Sequence, residues 1–462
     1  MNKIFITFLL AILLFSCKTE KKEITKADLN GFYEQQGEGE IIEINDSLVV
    51  SYYSSNFNCY PNWKISREYF NTQTPTIIVN ADESFNHKEG FTVFTYIKLK
   101  EKPTLCKELT EKEKNNNSYN FETLWNTFNE QYSFFKERNI DWDSIKSKYK
   151  TKFTDKTEPF EFYLLLEKMV LELKDEHSDF EVPDKFGEQW HKLNEKKDTT
   201  GYQTLVKTKI LDKYVKEVIE YNNGQLSWGL ISNEVSYIQF NGMDGLANYS
   251  SGNQTTWDTY WEMAGKSDNY QQDLIDGTNK ITGSIINDIK NTKSCIIDLR
   301  FNGGGYDLVG LAFLSHFIDK DYEVFKKKRR FKNGFAGQQT IDIKPSENNY
   351  TGNVYILTSP YTVSAAEIAV LATMNFPNFK RVGSNTNGAF SDVLGKNLPN
   401  GWTYWLSNEV YEGMNKKNYE VIGIPPDYKI EYPREKNKFF KSMNFELETE
   451  DRAIEKVIEL IK

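Results

Sequence analysis

The feature that most constrains the fold is the alternation of strand-like and helix-like apolar runs in residues 226–462. Each strand-like run is short and rich in Ile, Val, Leu or Tyr, and the next helical run follows within a few residues. Strands that alternate with helices pair in parallel, so this region predicts an α/β layer that is closed by an amphipathic C-terminal helix. The strand-like runs are Glu234 to Phe240, Cys295 to Leu299 and Asn353 to Thr358, and the helices end near Ile289, begin near Leu308, begin near Ser364 and cover Asp451 to Lys462.

The preceding residues follow two other patterns, as expected for a chain of 462 residues, which exceeds what one core usually supports. Short alternating runs separated by turn-forming residues predict a small all-β domain over residues 29–110. Helical spacing from Phe121 to about Lys174, and again from Leu205 to Tyr221, predicts a helical subdomain over residues 117–225. The Asn-rich segment Lys112 to Ser118 is expected to be a linker. The strand-like runs of the β domain are Glu40 to Ile44, Ser47 to Tyr53, Thr76 to Val79 and Phe91 to Leu99.

The first 17 residues have the pattern of an export signal. Lys3 supplies a positive start, and in Ile4 to Phe15 only Thr7 is polar. A helix over these residues would cover roughly 18 Å at about 1.5 Å per residue, which is short of the ~30 Å hydrocarbon core of a bilayer. The segment is therefore expected to be a signal peptide rather than a spanning helix.

The signal ends in Leu14-Phe15-Ser16-Cys17, which resembles the lipobox of bacterial lipoproteins. That resemblance implies lipidation of Cys17, with residues 18–28 as a polar tether and the protein held at the cell envelope, on the family pattern at the outer membrane. The alternative is an ordinary signal peptide that happens to contain a cysteine.

The remaining cysteines and the charge pattern exclude several classes of function. An oxidising exterior would allow a bridge between Cys59 and Cys106, whereas Cys295 lies in an apolar run and is expected to be a buried free thiol. The sequence has no CxxC or HExxH pattern, so no zinc site and no other cofactor is expected. The net charge of -9 comes from interspersed Lys and Glu, which does not favour a nucleic-acid partner.

A first candidate site follows the strand Cys295 to Leu299, where Gly303, Gly304 and Gly305 precede a helix. Glycines let a backbone approach a ligand closely and present N–H groups to an anion. Leu308 stands where a dinucleotide motif needs glycine, and a P-loop Gly-Lys pair is absent. An oxyanion hole and a plain strand–helix turn both remain compatible with this pattern.

A second candidate is Ser364, which the pattern places at the start of a helix after a strand and a proline-containing turn. Its hydroxyl would lie near free N–H groups, and the Ala365 N–H could stabilise an oxyanion that forms beside it. Ser364 could equally be a simple helix N-cap, a position that serine favours.

A third candidate is His177, at the end of a helix in the helical subdomain. A serine nucleophile needs a base, and the chain contains only four histidines. His87 belongs to the β domain, His191 to a charged segment, and His316 is expected to pack in a core. The alternative role for His177 is a cation that interacts with the end of its helix.

Together these segments resemble the tail-specific, or C-terminal-processing, serine peptidases and their tricorn-core relatives. The turn Asp298 to Gly305 matches the family's Asp-Leu-Arg-x-Asn-x-Gly-Gly, and Ser364 to Glu367 matches its Ser-Ala-x-Glu. Val382 to Gly388 matches Val-Gly-Glu-x-Thr-x-Gly with Ser384 in place of Glu, and Gly423 to Asp427 matches Gly-Ile-x-Pro-Asp. The resemblance covers roughly residues 120–460.

The resemblance also indicates which branch of the family this chain is closer to. Processing peptidases with a Ser–Lys dyad carry the lysine where this chain has Ala389, and Lys396 comes seven residues later. The tricorn-like branch instead uses a histidine in a short Asp-x-His-Ser segment, which fits Asp175 to Ser178, and a glutamate that corresponds to Glu420.

What the resemblance implies is a secreted, membrane-anchored serine peptidase with an α/β core of the ClpP/crotonase type, acting on a peptide or protein substrate. Its catalytic set would be Ser364 as nucleophile, His177 as base and Glu420 in support, with Ala365, Gly304 and Gly305 as the oxyanion hole.

Two other functions are compatible with the sequence. Glu176 stands where the family has a small residue, and with Ser384 it would suit an inactive peptidase fold that binds peptides or small hydrophobic ligands. In the third hypothesis, the N-terminal β domain is the functional part and binds a ligand or a partner protein. The oligomeric state is not indicated by the sequence.

Overall fold

The computed structural model describes residues 26–74, 76–194, 200–249 and 256–462. The predicted signal peptide, the lipobox with Cys17 and nearly all of the tether lie outside these residues. Within the described ranges, no helix is both long and apolar enough to cross a bilayer.

The N-terminal region forms one antiparallel sheet of seven strands, in the order β4-β3-β2-β1-β7-β6-β5. Alternate side chains of β1 and β2, such as Tyr33 and Ile42, are buried beneath helix α1. A disulfide joins Cys59 to Cys106, as the sequence predicted. The elements are β1 (Gly31–Gln35), β2 (Glu40–Ile44), β3 (Leu48–Ser54), β4 (Cys59–Ser66), α1 (Arg67–Gln73), β5 (Ile78–Val79), β6 (Phe85–Glu89) and β7 (Thr92–Leu99).

The next region is mainly helical and buries a large aromatic cluster that includes Phe128, Tyr163 and Trp402. The segment predicted to be a linker is helical instead, because Thr110 and Glu113 form a capping box and Asn116 caps the following helix. The elements are α2 (Glu111–Lys114), α3 (Asn117–Gln131), α4 (Trp142–Lys150), α5 (Pro159–Leu171), β8 (Asp179–Phe180), α6 (Gly187–Leu193) and α7 (Thr200–Tyr214).

The predicted helix over Leu205 to Tyr221 ends earlier in the structure, at Tyr214. Residues 216–221 form a strand that pairs with the first strand of the C-terminal region. The β-branched Val218 and Ile219 suit an exposed edge strand, and backbone pairing there outweighs the local helical spacing.

The C-terminal region contains the predicted α/β core, which confirms the fold class. Its seven-stranded sheet has the order β20-β16-β15-β12-β11-β10-β9, and β11, β12, β15, β16 and β20 pair in parallel. The sheet elements and the helices around them are β9 (Lys216–Tyr221), β10 (Leu226–Ser232), β11 (Val235–Phe240), α8 (Trp257–Ala264), α9 (Tyr270–Ile289), β12 (Ser294–Asp298), α10 (Asp307–Leu314), β13 (Tyr322–Phe331), β14 (Gly334–Ile343), β15 (Asn353–Thr358), α11 (Ala365–Thr373), β16 (Phe379–Gly383), β17 (Val393–Asn397), β18 (Thr403–Ser407), β19 (Glu409–Gly413), β20 (Tyr428–Lys429), α12 (Lys436–Glu446) and α13 (Arg452–Ile461).

The central strand β12 is buried over its whole length, because apolar layers cover both faces of the sheet. Cys295 is a buried free thiol there, as predicted. A buried ion-pair network fixes the end of this strand: Arg300 contacts Asp298 at 2.6 Å and Asp451 at 2.8 Å. Asp451 also caps α13, so the network ties the C-terminal helix to the centre of the sheet.

Two small sheets connect the three regions. Strand β8 of the helical region pairs with β18 of the C-terminal region. Strand β13 pairs with β14 and β19, and Gln339 on β14 receives a hydrogen bond from the Val93 N–H on β7 at 2.8 Å. The N-terminal sheet is therefore docked on the core by direct contacts.

Candidate active site

The glycine turn and the Ser364 segment meet because their strands are neighbours in the parallel sheet. β12 and β15 pair in parallel, so the loops that leave their carboxyl ends emerge at the same edge. The two loops bond to each other: the Val363 N–H donates to the Asn302 carbonyl at 3.1 Å, and the Ser359 hydroxyl donates to the Arg300 carbonyl at 2.6 Å.

Ser364 occupies the N-cap position of α11 but makes no capping hydrogen bond through its side chain. Its backbone angles, φ 58° and ψ -128°, are ones that residues with a side chain rarely adopt. Because such strain persists only when the surroundings impose it, it is typical of functional positions. Ser364 is therefore at the N-cap position that the sequence predicted, but its hydroxyl does not cap the helix.

The glycine turn is packed directly against Ser364. A Cβ atom on Gly304 would lie 2.6 Å from the Ser364 Cβ and 3.1 Å from the Ala365 nitrogen. Gly305 has φ 134° and faces the Met243 carbonyl so closely that a Cβ would lie 2.3 Å from it. Glycine is required at both positions, since a side chain at either would push the turn away from the serine.

The predicted oxyanion donors differ in whether their N–H groups are free. The Gly304 N–H already donates to the Asn302 Oδ1 at 2.9 Å, so its role as an oxyanion donor is not supported by the geometry. Among the hydrogen bonds of the described residues, none engages the Gly305 or Ala365 N–H. Asn302 was not singled out from the sequence, although it belongs to the Asp298 to Gly305 motif.

The loop at residues 388–390 is held against the nucleophile helix by Glu367, the last residue of the Ser-Ala-x-Glu motif. Its fully buried carboxylate accepts the Gly388 N–H at 2.7 Å and the Ala389 N–H at 2.8 Å. In turn, the Ser364 N–H donates to the Ala389 carbonyl at 3.1 Å. Burial raises the pKa of Glu367 to about 8.

Glu420 reaches the same loop from the opposite side. Its Oε2 accepts the Phe390 N–H at 2.8 Å, and its Oε1 accepts a hydrogen bond from Arg138 at 2.7 Å. Burial, together with the nearby Asp175, raises the pKa of Glu420 to about 7, although Arg138 and the Phe390 N–H oppose the rise.

His177 lies in the turn between α5 and β8, and Asp175 organises that turn. The Asp175 carboxylate accepts the His177 N–H at 3.0 Å and the Tyr132 hydroxyl at 2.8 Å. Arg138 contacts Asp175 at 3.5 Å as well as Glu420, so one guanidinium joins the histidine turn to the Glu420 segment. No sequence pattern singled out Arg138, which lies about 40 residues before His177.

The imidazole of His177 is partly buried, and its Nδ1 is enclosed without a hydrogen-bond partner among the described residues. The hydrogen bonds of those residues include none from the ring to Ser364 or Glu420. The histidine turn nevertheless reaches the nucleophile loop, because Asn387 donates to Glu176 at 3.4 Å and to the Pro360 carbonyl at 3.2 Å.

A pocket of about 250 Å³ opens beside Ser364. Gly305 and Tyr306 form one side, and Phe390 and Asp392 form another. The far wall is the tip of the β6–β7 hairpin from the N-terminal sheet, including Gly90 and Phe91. The pocket therefore lies between the N-terminal sheet and the core.

The other candidate bases lie elsewhere. The Lys396 ammonium is buried against the β domain, where it donates to the Glu38 carbonyl and lies over the Tyr53 ring, and burial lowers its pKa to about 8. His316 is buried in the core as predicted, with its Nδ1 2.9 Å from the Asn348 carbonyl. Within the described residues, no group of His, Cys, Asp and Glu could hold a metal ion.

Two family models match this chain over the regions that form the site. Residues 237–430 match the model described as peptidase family S41, which includes the glycine turn, Ser364 and Glu420. Residues 113–170 match the model described as the tricorn protease C1 domain, which includes Arg138.

Several solved structures are similar to this chain. A protein from Parabacteroides merdae, assigned provisionally as a peptidase, is 20% identical, with a TM-score of 0.52 over 73% of this chain and 98% of its own. Mature CPAF in complex with lactacystin is 11% identical, with a TM-score of 0.48 over 73% and 97% of the two chains. The photosystem II D1 C-terminal processing protease is 11% identical, with a TM-score of 0.41 over 72% and 98%.

The N-terminal sheet lies outside both family models, and the helical region and the core carry the match. The chain thus has regions that match peptidase family S41 and the tricorn protease C1 domain, and it is an enzyme of the serine-type peptidase class.

Proposed function

We propose that this chain is an exported, lipid-anchored serine peptidase of the tricorn-like branch, which hydrolyses peptide bonds through an acyl-enzyme on Ser364. The observation that carries the proposal is the strained Ser364, which stands at a helix start against a glycine turn and makes no capping bond. The family match to the surrounding residues favours this function over an inactive binding protein.

In the proposed reaction, His177 accepts the Ser364 proton as the hydroxyl attacks the peptide carbonyl. The carbonyl oxygen then carries a negative charge, and the N–H groups of Ala365 and Gly305 are suited to stabilise it, while Asn302 holds Gly304 in place. His177 next gives its proton to the leaving amine. Water attacks the acyl-enzyme in the second half of the reaction and restores the serine.

Glu420 is proposed to support His177 from across the site. Arg138 is a positioning residue in this scheme, because it fixes Glu420 and Asp175 with one guanidinium. The scheme requires the His177 ring to form hydrogen bonds with Ser364 and Glu420 in the substrate complex, where catalytic hydrogen bonds often first become short.

A fluorophosphonate probe tests the nucleophile directly. We expect covalent labelling of the wild-type protein and loss of labelling in Ser364→Ala. Ser284→Ala is the control, because Ser284 is exposed on α9 and its hydroxyl donates only to the Lys280 carbonyl of the same helix, so this variant should still be labelled. If a folded wild-type sample is not labelled, or if Ser364→Ala is labelled equally, Ser364 is not the nucleophile.

A further inference from the structure

The N-terminal sheet encloses a second pocket, of about 320 Å³, which is larger than the pocket beside Ser364. Its walls are largely apolar and aromatic: Trp63, Phe70, Phe85 and Tyr96 line it, and α1 covers one side. A cavity of this size and character is typical of a site for one apolar side chain or a small ligand.

Two polar groups of this pocket, on Gln35 and His87, lack a hydrogen-bond partner among the described residues. Gln35 is 2% exposed, and its Oε1 accepts no hydrogen bond among the described residues, while its Nε2 donates to Glu38 at 3.0 Å. The Nδ1 of His87 is likewise enclosed without a partner, and burial lowers the pKa of this histidine, which favours a neutral ring. An unpaired buried acceptor is costly, so a ligand that brings N–H donors would be stabilised here.

The charge of the lining points to a cation. The carboxylates of Glu38, Glu40 and Glu89 line the pocket, and its described lining includes neither Lys nor Arg. Arg329, behind the lining, pairs with Glu38 at 3.3 Å, and the Ser51 and Tyr96 hydroxyls donate to Glu40, so Glu89 and the outer face of Glu40 are the acidic groups left for a ligand. A ligand that fits both the aromatic walls and these acceptors has an apolar stem and a positively charged head. Lysine and arginine side chains have this form, and their heads also bind favourably over aromatic rings.

This pocket adjoins the one beside Ser364, because Glu89 and Phe94 line both. The hairpin that carries them is fixed to the core: the Arg329 guanidinium lies 4.3 Å from the Phe94 ring centroid, and the Val93 N–H donates to Gln339. The two pockets therefore share a wall on this hairpin, and a peptide bound at Ser364 that continues past the hairpin would bring a further side chain to the second pocket.

We propose that the pocket of the N-terminal sheet is a second substrate-binding site, which takes a lysine or arginine side chain of the peptide that is cleaved at Ser364. This inference rests on the proposed peptidase function. It gives the N-terminal sheet a role in substrate selection.

Matched peptides test the proposal kinetically. In a fluorogenic peptide series, one arginine is moved along the chain and compared with norleucine, which keeps the stem and removes the donors. We expect one arginine position to lower KM about tenfold without changing kcat, in line with a charged hydrogen bond. Gln35→Leu should abolish the difference, whereas Gln36→Leu, on the neighbouring residue outside the pocket, should keep it.

Direct binding provides the second measurement and uses Trp63 as a reporter. In the Ser364→Ala protein, the arginine peptide should change the tryptophan fluorescence, and the change should be lost when Trp63→Phe is added. If the arginine and norleucine peptides are hydrolysed with equal KM values at every position, the second binding site is refuted and the peptidase function stands. If N-acetyl-arginine amide binds as tightly as the peptide, the pocket serves a free cationic molecule, and the substrate role is wrong.

A different result would refute the proposed function instead. If the Ser364→Ala protein binds the peptide through Trp63 but the wild type never cleaves it, the peptidase assignment of Ser364 fails while the pocket remains a peptide site. Trp63→Ala serves as a second pocket variant in the kinetic series. Trp63 is 37% exposed, so its replacement places little demand on folding.

Discussion

At the scale of single residues, two residues beside the site have backbone angles that residues with a side chain rarely adopt. Ser364 has φ 58°, and Val421, a β-branched residue, has φ 72°. The Val421 N–H donates to the Gly388 carbonyl at 2.7 Å, so both strained residues bond to the same loop. The loop at residues 388–390 thus fixes the nucleophile from one side and the Glu420 segment from the other.

Glu367 is expected to stabilise this loop through its two backbone hydrogen bonds. In Glu367→Gln, one amide nitrogen would face a backbone N–H, and the unpaired donor should lower the free energy of unfolding by about 1–3 kcal/mol. Urea denaturation measures the change. Glu412→Gln is the matched control, because Glu412 forms only a partly exposed 4.0 Å pair with Lys328 and should change stability by less than about 0.5 kcal/mol.

The difference in stability between the wild type and Glu367→Gln should depend on pH, in a direction that the pKa of Glu367 sets. The folded pKa of Glu367, about 8, lies above its ordinary value of 4.5, so the folded state binds more protons than the unfolded state between these values. The contribution of Glu367 to stability is full below about pH 4.5 and falls as the pH rises toward 8. The gap between the wild type and Glu367→Gln should therefore narrow over this range, and a gap that widens would contradict the raised pKa.

Arg138 is expected to set the pH at which Glu420 ionises. Burial raises the pKa of Glu420 to about 7 and Arg138 opposes that rise, so Arg138→Gln should raise it further. If ionised Glu420 is needed, the acidic limb of kcat/KM should move about one unit or more to higher pH. Arg452→Gln, which removes a pair with Glu446 on the C-terminal side, should leave the limb in place. If the acidic limb of kcat/KM stays at the same pH in Arg138→Gln, the ionisation of Glu420 does not determine that limb.

At the scale of secondary-structure elements, parallel pairing explains why residues 60 positions apart form one site. The Gly303–Gly305 turn follows β12, Ser364 follows β15, and these strands are neighbours with aligned ends. The Val382 to Gly388 motif begins at the end of β16, the next strand of the sheet, and continues into the loop that follows it. The elements were predicted from their apolar periodicity, and their carboxyl-end loops converge because parallel strands end at the same edge.

The Cys59–Cys106 disulfide is expected to stabilise the N-terminal sheet, because it closes a loop of 47 residues. The chain-entropy model gives about 4 kcal/mol for a loop of this length. The double variant Cys59→Ala/Cys106→Ala should therefore lower the unfolding midpoint of the sheet in a denaturant titration. Reducing agent should destabilise the wild type similarly and leave the double variant unchanged, and equal midpoints in all samples would contradict a stabilising role.

At the scale of the whole molecule, the three regions form one connected structure around the pocket beside Ser364. The Tyr60 hydroxyl donates to the Asn397 carbonyl at 2.7 Å, and the Asn408 amide donates to the Gly37 carbonyl at 3.0 Å. These contacts fix the N-terminal sheet on the core, so its hairpin can form part of the pocket wall. Substrate selection is therefore expected to depend on the sheet as well as on the core.

The proposed anchor is tested on the intact exported protein. Cys17→Ser should move the protein from the membrane fraction to the soluble fraction, because a serine cannot carry the thioether lipid and the described residues contain no membrane-spanning helix. Lys18→Gln, which keeps the cysteine, should remain with membranes. A Cys17→Ser protein that still sediments with membranes would contradict lipid anchoring at this residue.

The sequence by itself determined the local elements, the disulfide, the buried thiol and the two loops that meet at Ser364, because periodicity and turn residues act over a few positions. Only the tertiary structure decided that Asn302 accepts the Gly304 N–H, that Arg138 pairs with both Asp175 and Glu420, and that an N-terminal hairpin lines the pocket beside Ser364. These contacts join segments up to about 300 residues apart. They depend on how whole elements pack, and no local pattern of residues encodes that packing.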